Sequence, residues 1–284
     1  MSRDPSNRRI SFCVLHRDGR VLHQALDVLP IYSTTKTIIA RTIHLLGIDP
    51  NARISEWIEK DVCPHPIRVK QLLNHTSGLI DYGALPAYNQ AIAAGVVWDD
   101  QTFGQHTLQR PLLTTPGLAF AYSNPGYWLL KKIIEQVTNQ TFAETISRLI
   151  FEPLEMNSAY VAEDQFAPNL PRYPAGWVWH GLVMSNALDV AKFLCSLDAE
   201  RYMDNAFPVG EMHPTWHDPH YGNGLMIEPG EHFGHYGGGP GYSAAAMHFL
   251  KTGVTACVLE SVSDPAAPDP AATTLFKLVE DLGY

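Results

Sequence analysis

Cysteine is scarce in this chain. There are four in 284 residues, Cys13, Cys63, Cys195 and Cys257, and no two form a C-x-x-C pair. Such scatter excludes a zinc knuckle and a disulfide framework, so no metal is expected and reduced thiols point to a cytoplasmic setting. Charge is sparse as well: Asp, Glu, Lys and Arg make up 17% of the residues, 20 basic against 29 acidic, for a net charge of −9. No run of five or six basic residues could neutralise a phosphate backbone, so no nucleic-acid partner is expected. Long apolar runs are also missing. Ala91 to Val97 and Ser243 to Leu250 fall far short of the roughly 20 residues a bilayer-spanning helix needs, and no membrane segment is expected. The first residues, Met1-Ser-Arg-Asp-Pro-Ser-Asn-Arg-Arg9, are polar and broken by proline. They do not resemble a secretory leader, which again favours the cytoplasm. No G-x-x-x-x-G-K-[ST] loop is present to cradle a phosphate, and no cofactor is implied.

What the chain does have is apolar residue: 45% is hydrophobic, the balance of a globular protein with a sizeable core. The length fits two domains, or one large domain with an embedded region. Ile10–Leu15 and Gly19–Ala25 are β-rich runs joined through Asp18-Gly19, a dipeptide suited to a tight hairpin. From Ser33 the spacing turns helical, with Ile39, Ile43 and Leu46 on one face and Gly47 where a C-terminal cap belongs, a helix of about three to four turns. The middle, from about Asp49 to Pro174, reads as helical pieces separated by Pro/Gly loops. Its strongest helix begins at Tyr127, with Leu130, Ile133, Ile134 and Val137 on one face. After Trp177 come short strands, Phe233–His235, Gly241–Phe249 and Val254–Leu259. A last helix follows, with Asp269 at the N-cap, Pro270 at the first position, and Leu275, Leu278 and Leu282 spaced for burial. The expected fold is therefore α+β: one antiparallel sheet built from both termini and flanked by helices, with a mostly helical insertion. The whole chain, 1–284, reads as a single unit whose α/β part is 1–48 plus 176–284 and whose helical part is 49–175.

Three short segments could carry chemistry. Ser33-Thr-Thr-Lys36 opens the first helix, and three-residue spacing puts Ser33 and Lys36 on one face. A serine hydroxyl needs an adjacent base to become a nucleophile, and a desolvated lysine can lose its proton and serve as one. The helix start adds N–H groups for an oxyanion. Alone the pair is weak, since a serine and a lysine three apart are commonly just two exposed polar side chains. Tyr122-Ser-Asn124 sits between Pro116-Gly117 and Pro125-Gly126, where residues two apart in extended backbone point the same way. A tyrosine there could relay protons and an asparagine orient substrate, although Tyr-x-Asn recurs at Tyr221-Gly-Asn223. His235-Tyr-Gly237 runs into Gly238-Gly-Pro-Gly241, where bare backbone could approach a ligand and offer an N–H, or simply form a bend between strands.

In this order and at these separations, the three boxes resemble those of the serine β-lactamase and DD-peptidase superfamily, specifically its class C-like branch of β-lactamases, carboxylesterases and D-aminopeptidases. Gln71–Leu79, Phe151–Met156, Tyr221–Leu225 and Gly234–Tyr242 resemble further landmarks of that branch, and the likeness covers nearly the whole chain. The resemblance implies a β-lactamase/transpeptidase-like fold in which Ser33 is acylated. Lys36 and Tyr122 would share the general-base and general-acid work, and Asn124 would position substrate. His235 stands where the third box carries Lys or His, and the N–H groups of Ser33 and Gly238 map to the oxyanion hole. A serine hydrolase acting on a small-molecule ester or amide through an acyl-enzyme is the expected function. A class C-like β-lactamase, a DD-peptidase or D-aminopeptidase, an acyltransferase and a non-catalytic ligand-binding member of the fold are the alternatives.

Two departures bear on specificity. His235 replaces the lysine of most penicillin-recognising third boxes with a group expected to titrate near neutrality, favouring neutral acyl substrates over β-lactams. The connection Leu26–Tyr32 is short, which implies an open cleft or one completed by a second subunit. Among rival readings, Gly241-Tyr-Ser243 half-resembles a nucleophile elbow, but the residues after Ser243 look like strand. His213, His217, His220 and His232 match no zinc spacing. His75 reads as packing, and Trp98, Trp177, Trp179, Tyr236 and Tyr242 are candidates for an aromatic acyl pocket, or equally for the core.

Overall fold

The computed structural model describes residues 9–162, 175–198, 202–210, 216–262 and 270–284. Asp269, assigned to a helix cap, and His213, in the histidine-rich loop, lie outside the described residues.

The opening hairpin follows from its turn chemistry. Strands β1 (Ile10–His16) and β2 (Val21–Ala25) pair antiparallel, and Gly19 between them takes φ +88°, a conformation that strains any residue with a side chain. The other edge of β1 pairs with β11 (Val254–Ser261), which places Cys13 opposite Cys257. Strands β6 (Phe207–Pro208), β7 (His220–Gly222), β8 (Leu225–Glu228), β9 (His232–Gly239) and β10 (Tyr242–Phe249) complete an eight-stranded sheet in the order β2-β1-β11-β10-β9-β8-β7-β6. The sheet is antiparallel throughout and joins both ends of the chain.

Strands β10 and β11 are buried along most of their length rather than at alternate positions, because both faces of the sheet are covered. On one side Val14, Ala245, Met247, Ala256 and Val258 pack with Ala271, Leu275 and Val279 of the C-terminal helix α8 (Pro270–Asp281). On the other, Cys13, Ala244, Ala246, Cys257 and Leu259 join a larger core with α7 (Ala187–Cys195) and the helical region.

Helix α1 (Thr35–Leu45) lies inside that larger core, with Ile38, Ile39 and Ile43 almost wholly buried, and Gly47 follows it at φ +66°. Helix α5 (Asn124–Thr138) starts three residues earlier than its apolar stripe suggests. Ser123 caps it by accepting the Gly126 N–H, and Pro125 sits in the first turn, where a missing N–H costs nothing. Leu130, Ile133 and Ile134 are buried as expected, but Val137 is 41% exposed, since it stands in the last turn before Asn139 ends the helix at φ +50°. Shorter helices α2 (Val69–Leu73), α3 (Pro86–Ala94), α4 (Asp100–His106) and α6 (Phe142–Ile146) fill out this region. The segment expected to be free of strands contributes one short strand: β4 (Tyr160–Val161) pairs with β5 (Val183–Ser185), which also pairs with β3 (Leu29–Pro30). The short connection into Ser33 is thus a strand of a second sheet. Among the described residues no helix is long and apolar enough to cross a membrane.

Candidate active site

Ser33 lies at the centre of a single 3-10 turn, Tyr32–Thr34, that feeds directly into α1. The helix expected from Ser33 therefore becomes regular only at Thr35. Tyr32 holds φ +44°, a left-handed conformation that costs a tyrosine of order 1–3 kcal/mol unless its surroundings enforce it. They do: the Tyr32 hydroxyl donates to the Pro240 carbonyl at 3.1 Å, tying the turn to the end of β9.

The three-residue spacing brings Lys36 under Ser33. Lys36 is completely buried, and its Nζ donates to Ser33 Oγ at 3.0 Å and to Asn124 Oδ1 at 2.7 Å. It also lies 3.5 Å from His180 Nε2 and over the rings of Tyr122 and Tyr127, at 5.0 and 5.6 Å from their centroids. Burial pushes the ammonium down to about 7, against the opposing pull of Asp81.

Tyr122 and Asn124 flank Ser123, whose extended backbone (φ −142°) turns both side chains the same way. The Tyr122 hydroxyl shares a hydrogen bond with Ser33. Burial drives its phenol further above the ordinary tyrosine range, with that hydrogen bond opposing and Asp81 adding to the rise. Asn124 is held by a residue the motifs do not mark: Asp81 Oδ1 accepts both its backbone N–H, at 2.9 Å, and its Nδ2, at 3.0 Å. Asp81 lies 43 positions before Asn124, and His180 lies 144 positions after Lys36, so no sequence spacing announces either contact. The only signal is a lone polar side chain in an apolar stretch, which must find a partner when buried.

The third box is strand rather than bend, since β9 continues through Gly239. A Cβ on Gly237 would stand 2.3 Å from the Ile31 carbonyl oxygen and 3.1 Å from the Ser33 nitrogen, and one on Gly239 would enter the Tyr32 ring. Gly237 therefore lets β9 touch the Ser33 turn backbone to backbone. A Cβ on Gly238 would meet nothing within 4 Å, so that position faces open space.

His235 departs from expectation. It is 1% exposed, with Nε2 2.9 Å from the Tyr221 hydroxyl and Nδ1 hydrogen-bonded to the Tyr236 carbonyl. Burial pushes it down to about 3, reinforced by the Lys36 charge and opposed by the Tyr236 backbone. It does not titrate near neutrality, because burial and the neighbouring Lys36 charge outweigh the Tyr236 backbone contact.

The remaining candidates lie elsewhere or act as packing. Ser243 is buried in β10, its Oγ accepting the Ala271 N–H at 3.3 Å. His232 packs against Trp216, Phe249 and Phe276, while His217 is exposed. Among the described residues no group of three or more His, Cys, Asp or Glu could hold a metal. Trp177, Trp179, Tyr236 and Tyr242 are buried, Trp179 stacked on Phe103, and Trp98 stacks on His106. The aromatic rings beside Lys36 are instead Tyr122 and Tyr127. His75 sits behind them at φ +56°, its Nδ1 accepting the Ser123 N–H at 3.1 Å and its ring 4.1 Å from that of Tyr122.

Known structures share this arrangement of chain. A D-stereospecific amidohydrolase from Streptomyces sp. superposes with a TM-score of 0.75 at 20% identity, over 97% of this chain and 94% of that one. A D-amino acid amidase from Ochrobactrum anthropi SV3 gives a TM-score of 0.78 at 20% identity, over 97% and 95%. At these identities the likeness establishes the β-lactamase/transpeptidase-like fold. By sequence, penicillin-binding protein 4* of Bacillus subtilis is 25% identical over 228 residues, 65% of this chain and 49% of that protein. A D-aminopeptidase of Brucella ovis is 35% identical over 99 residues, 34% of this chain and 18% of that protein. The chain thus spans half or less of the length of these two relatives. The profile of the Beta-lactamase family matches residues 8–280, all but the two ends. With the fold and the order of its three boxes in agreement, the chain belongs to the Beta-lactamase family.

Proposed function

We propose that this protein is a serine hydrolase that cleaves amide or ester bonds of small acyl substrates through an acyl-enzyme at Ser33. The observation that carries this reading is the contact of 3.0 Å between Lys36 Nζ and Ser33 Oγ, made by a lysine that burial has pushed down to about 7. Near neutral pH a substantial fraction of Lys36 is the free amine, the form that can accept a proton. Ser33 Oγ attacks the substrate carbonyl carbon as its proton passes to Lys36 Nζ, and the oxyanion turns toward the N–H groups of Ser33 and Gly238. Tyr122, held as a neutral phenol, hands a proton to the departing amine or alcohol and is resupplied from Lys36. Water then attacks the ester of Ser33, the same groups act in reverse, and the acid is released. Asn124 fixes Lys36 through its Oδ1.

Amides and neutral esters are the proposed substrates, in preference to β-lactams and other substrates bearing a carboxylate beside the scissile bond. A neutral His235 sealed under β9 supplies no cation for such a carboxylate. The names of the relatives, an aminopeptidase and an amidase, support amide cleavage. Four free thiols, three of them buried, support a reducing compartment such as the cytoplasm. The test is labelling with a fluorophosphonate and mapping of the modified peptide: label on Ser33 that vanishes in Ser33→Ala is expected. Label on Ser243, or none, would overturn the reading.

A further inference from the structure

Lys36 is held by more than its motif partners. As an ammonium, Nζ has three N–H donors, and three acceptors surround it: Ser33 Oγ at 3.0 Å, Asn124 Oδ1 at 2.7 Å and His180 Nε2 at 3.5 Å. The neutral amine that must take the Ser33 proton has only two N–H bonds and one lone pair. If those two N–H bonds are spent on Asn124 and His180, the lone pair is left facing Ser33 Oγ. If either acceptor is lost, the amine can turn an N–H toward Ser33, and the lone pair points away from the proton it must accept.

His180 is built for that contact. It is 2% exposed, and it sits just before Gly181, where φ +97° turns the chain toward β5. A Cβ at Gly181 would press on Phe142 at 2.9 Å, which fixes the bend that presents His180 to the site. His180 Nδ1 is buried without a hydrogen-bond partner of ordinary geometry among the described residues, while the backbone of Tyr32 beside Ser33 raises the ring's proton affinity. Lys36 as an ammonium can only donate, so the 3.5 Å contact leaves the ring proton on Nδ1 and the Nε2 lone pair facing Lys36.

We infer that His180 is a positioning residue for acylation, one that together with Asn124 takes both N–H bonds of neutral Lys36 and so aims its lone pair at Ser33. The inference rests on the acyl-enzyme reading above. No contact of His180 with substrate is needed, and the ring stays neutral throughout the cycle.

The groups around Lys36 decide how this reads out against pH. Ser33, Asn124 and His180 touch Nζ, and the rings of Tyr122 and Tyr127 face it. Asp81 pulls Lys36 upward. His75 and His180 are pushed well below the ordinary histidine range by burial, with Lys36 adding to it, and His235 goes to about 3. The rise in acylation rate between pH 5 and 9 therefore belongs to Lys36. A neutral acceptor stabilises an ammonium more than an amine, so removing it moves that rise to lower pH while the plateau above it falls.

The experiment measures the fluorophosphonate labelling rate of Ser33 from pH 5 to 9, per reactive site, in the full chain and in His180→Leu, His180→Asn and His180→Gln. Leucine offers no acceptor, and asparagine stops short of the Nε2 position while keeping the site polar. Glutamine reaches it. Leucine and asparagine are expected to lower the plateau roughly tenfold to a hundredfold and to move the midpoint down by about half a pH unit or more. Glutamine restores most of both, and probe affinity before labelling stays unchanged. A purely structural role would instead lower the number of reactive sites and leave midpoint and plateau per site alone. Should the leucine variant fail to fold, the asparagine variant decides. A wild-type midpoint and plateau in either, with Ser33 labelled, overturns this inference alone, whereas wild-type protein that takes no label at Ser33 overturns the acyl-enzyme reading and this inference with it.

Discussion

A single carboxylate oxygen, Asp81 Oδ1, accepts from both the main chain and the side chain of Asn124, at 2.9 and 3.0 Å. The Asn124 carboxamide therefore has a defined orientation: its Nδ2 is committed to Asp81, and its Oδ1 is left to receive Lys36 at 2.7 Å. Asp81 touches neither Ser33 nor Lys36 in this chain of contacts, yet it sets how one is presented to the other.

Two substitutions at Asp81 separate its charge from its acceptor. Asp81→Asn keeps an oxygen near both donors but removes the charge that pulls Lys36 upward, so the rise of acylation with pH moves to lower pH while the plateau stays within about threefold. Asp81→Ala strips the acceptor as well. It should lower the plateau by about tenfold and cost about 1–3 kcal/mol of stability, because two Asn124 donors lose their partner. Labelling rates across pH, with thermal melts of both variants, check this. Equal midpoints in wild type and Asp81→Asn would sink it.

Lys36 exacts a cost in stability whose sign follows from its direction of shift. The folded state holds it near 7 and the unfolded chain near 10.5, so between those values the unfolded chain binds more protons and stability from this group rises with pH. The slope from one group is at most about 1.4 kcal/mol per pH unit. Below pH 7 the cost is fully present, and above about 10.5 it is gone. Lys36→Met should therefore be inactive and more stable than wild type, by a margin that is widest below pH 7 and narrows as the pH is raised to 10. Denaturant melts at pH 6, 8 and 10 measure it, and a margin that widens with pH would contradict the account.

Adjacent glycines in β9 give a contrast of one methyl group. Gly237→Ala places its Cβ 2.3 Å from the Ile31 carbonyl oxygen and must push β9 off the Ser33 turn, so the melting temperature and the labelling rate should both fall sharply. Gly238→Ala enters open space and should leave the melting temperature nearly unchanged. Its effect should show as a raised KM for bulky acyl groups. The two variants, compared by melting and by kinetics on small and large esters, should part cleanly.

The neutral third box predicts a flat response where a titrating one would show a step. Turnover of a neutral ester should show no limb from His235 above about pH 4, since the ring is pushed down to about 3. Tyr221→Phe removes the hydroxyl 2.9 Å from its Nε2 and should cost about 1–3 kcal/mol of stability, with no gain in turnover of carboxylate-bearing substrates. A marked gain in β-lactam hydrolysis would count against the sealed-ring account.

Much of this site was legible before the fold was seen, for a physical reason. Ser33 and Lys36 meet because three residues nearly complete a helical turn, and Tyr122 and Asn124 meet because two residues complete one extended repeat. Those are local geometries that spacing encodes. Asp81 and His180 were not legible because they reach the site from distant segments, and no period connects them to it. The chemistry of His235 was not legible, since burial and the charge of Lys36 are tertiary facts that move its proton affinity by more than its identity sets it. The Asp18-Gly19 hairpin followed from turn chemistry, whereas β3 to β5 were missed because strands of two or three residues are too short to show alternation. Whether the aromatic residues line a pocket or the core was not legible, because composition does not say which rings the fold buries, and Trp177, Trp179, Tyr236 and Tyr242 are in the core.

The pairing of β1 with β11 and the contact of Gly237 with the Ser33 turn have a consequence for the order of events on the ribosome. The first strand emerges some 240 residues before its partner, and Ser33 some 200 before the glycine that shapes its surroundings. Contacts so remote in sequence form late and slowly. A nascent chain carrying Ser33, Lys36 and Tyr122 has all three reactive groups but not the strand that organises them. These groups are therefore brought into their final arrangement only once synthesis has passed β9, an order set by topology alone.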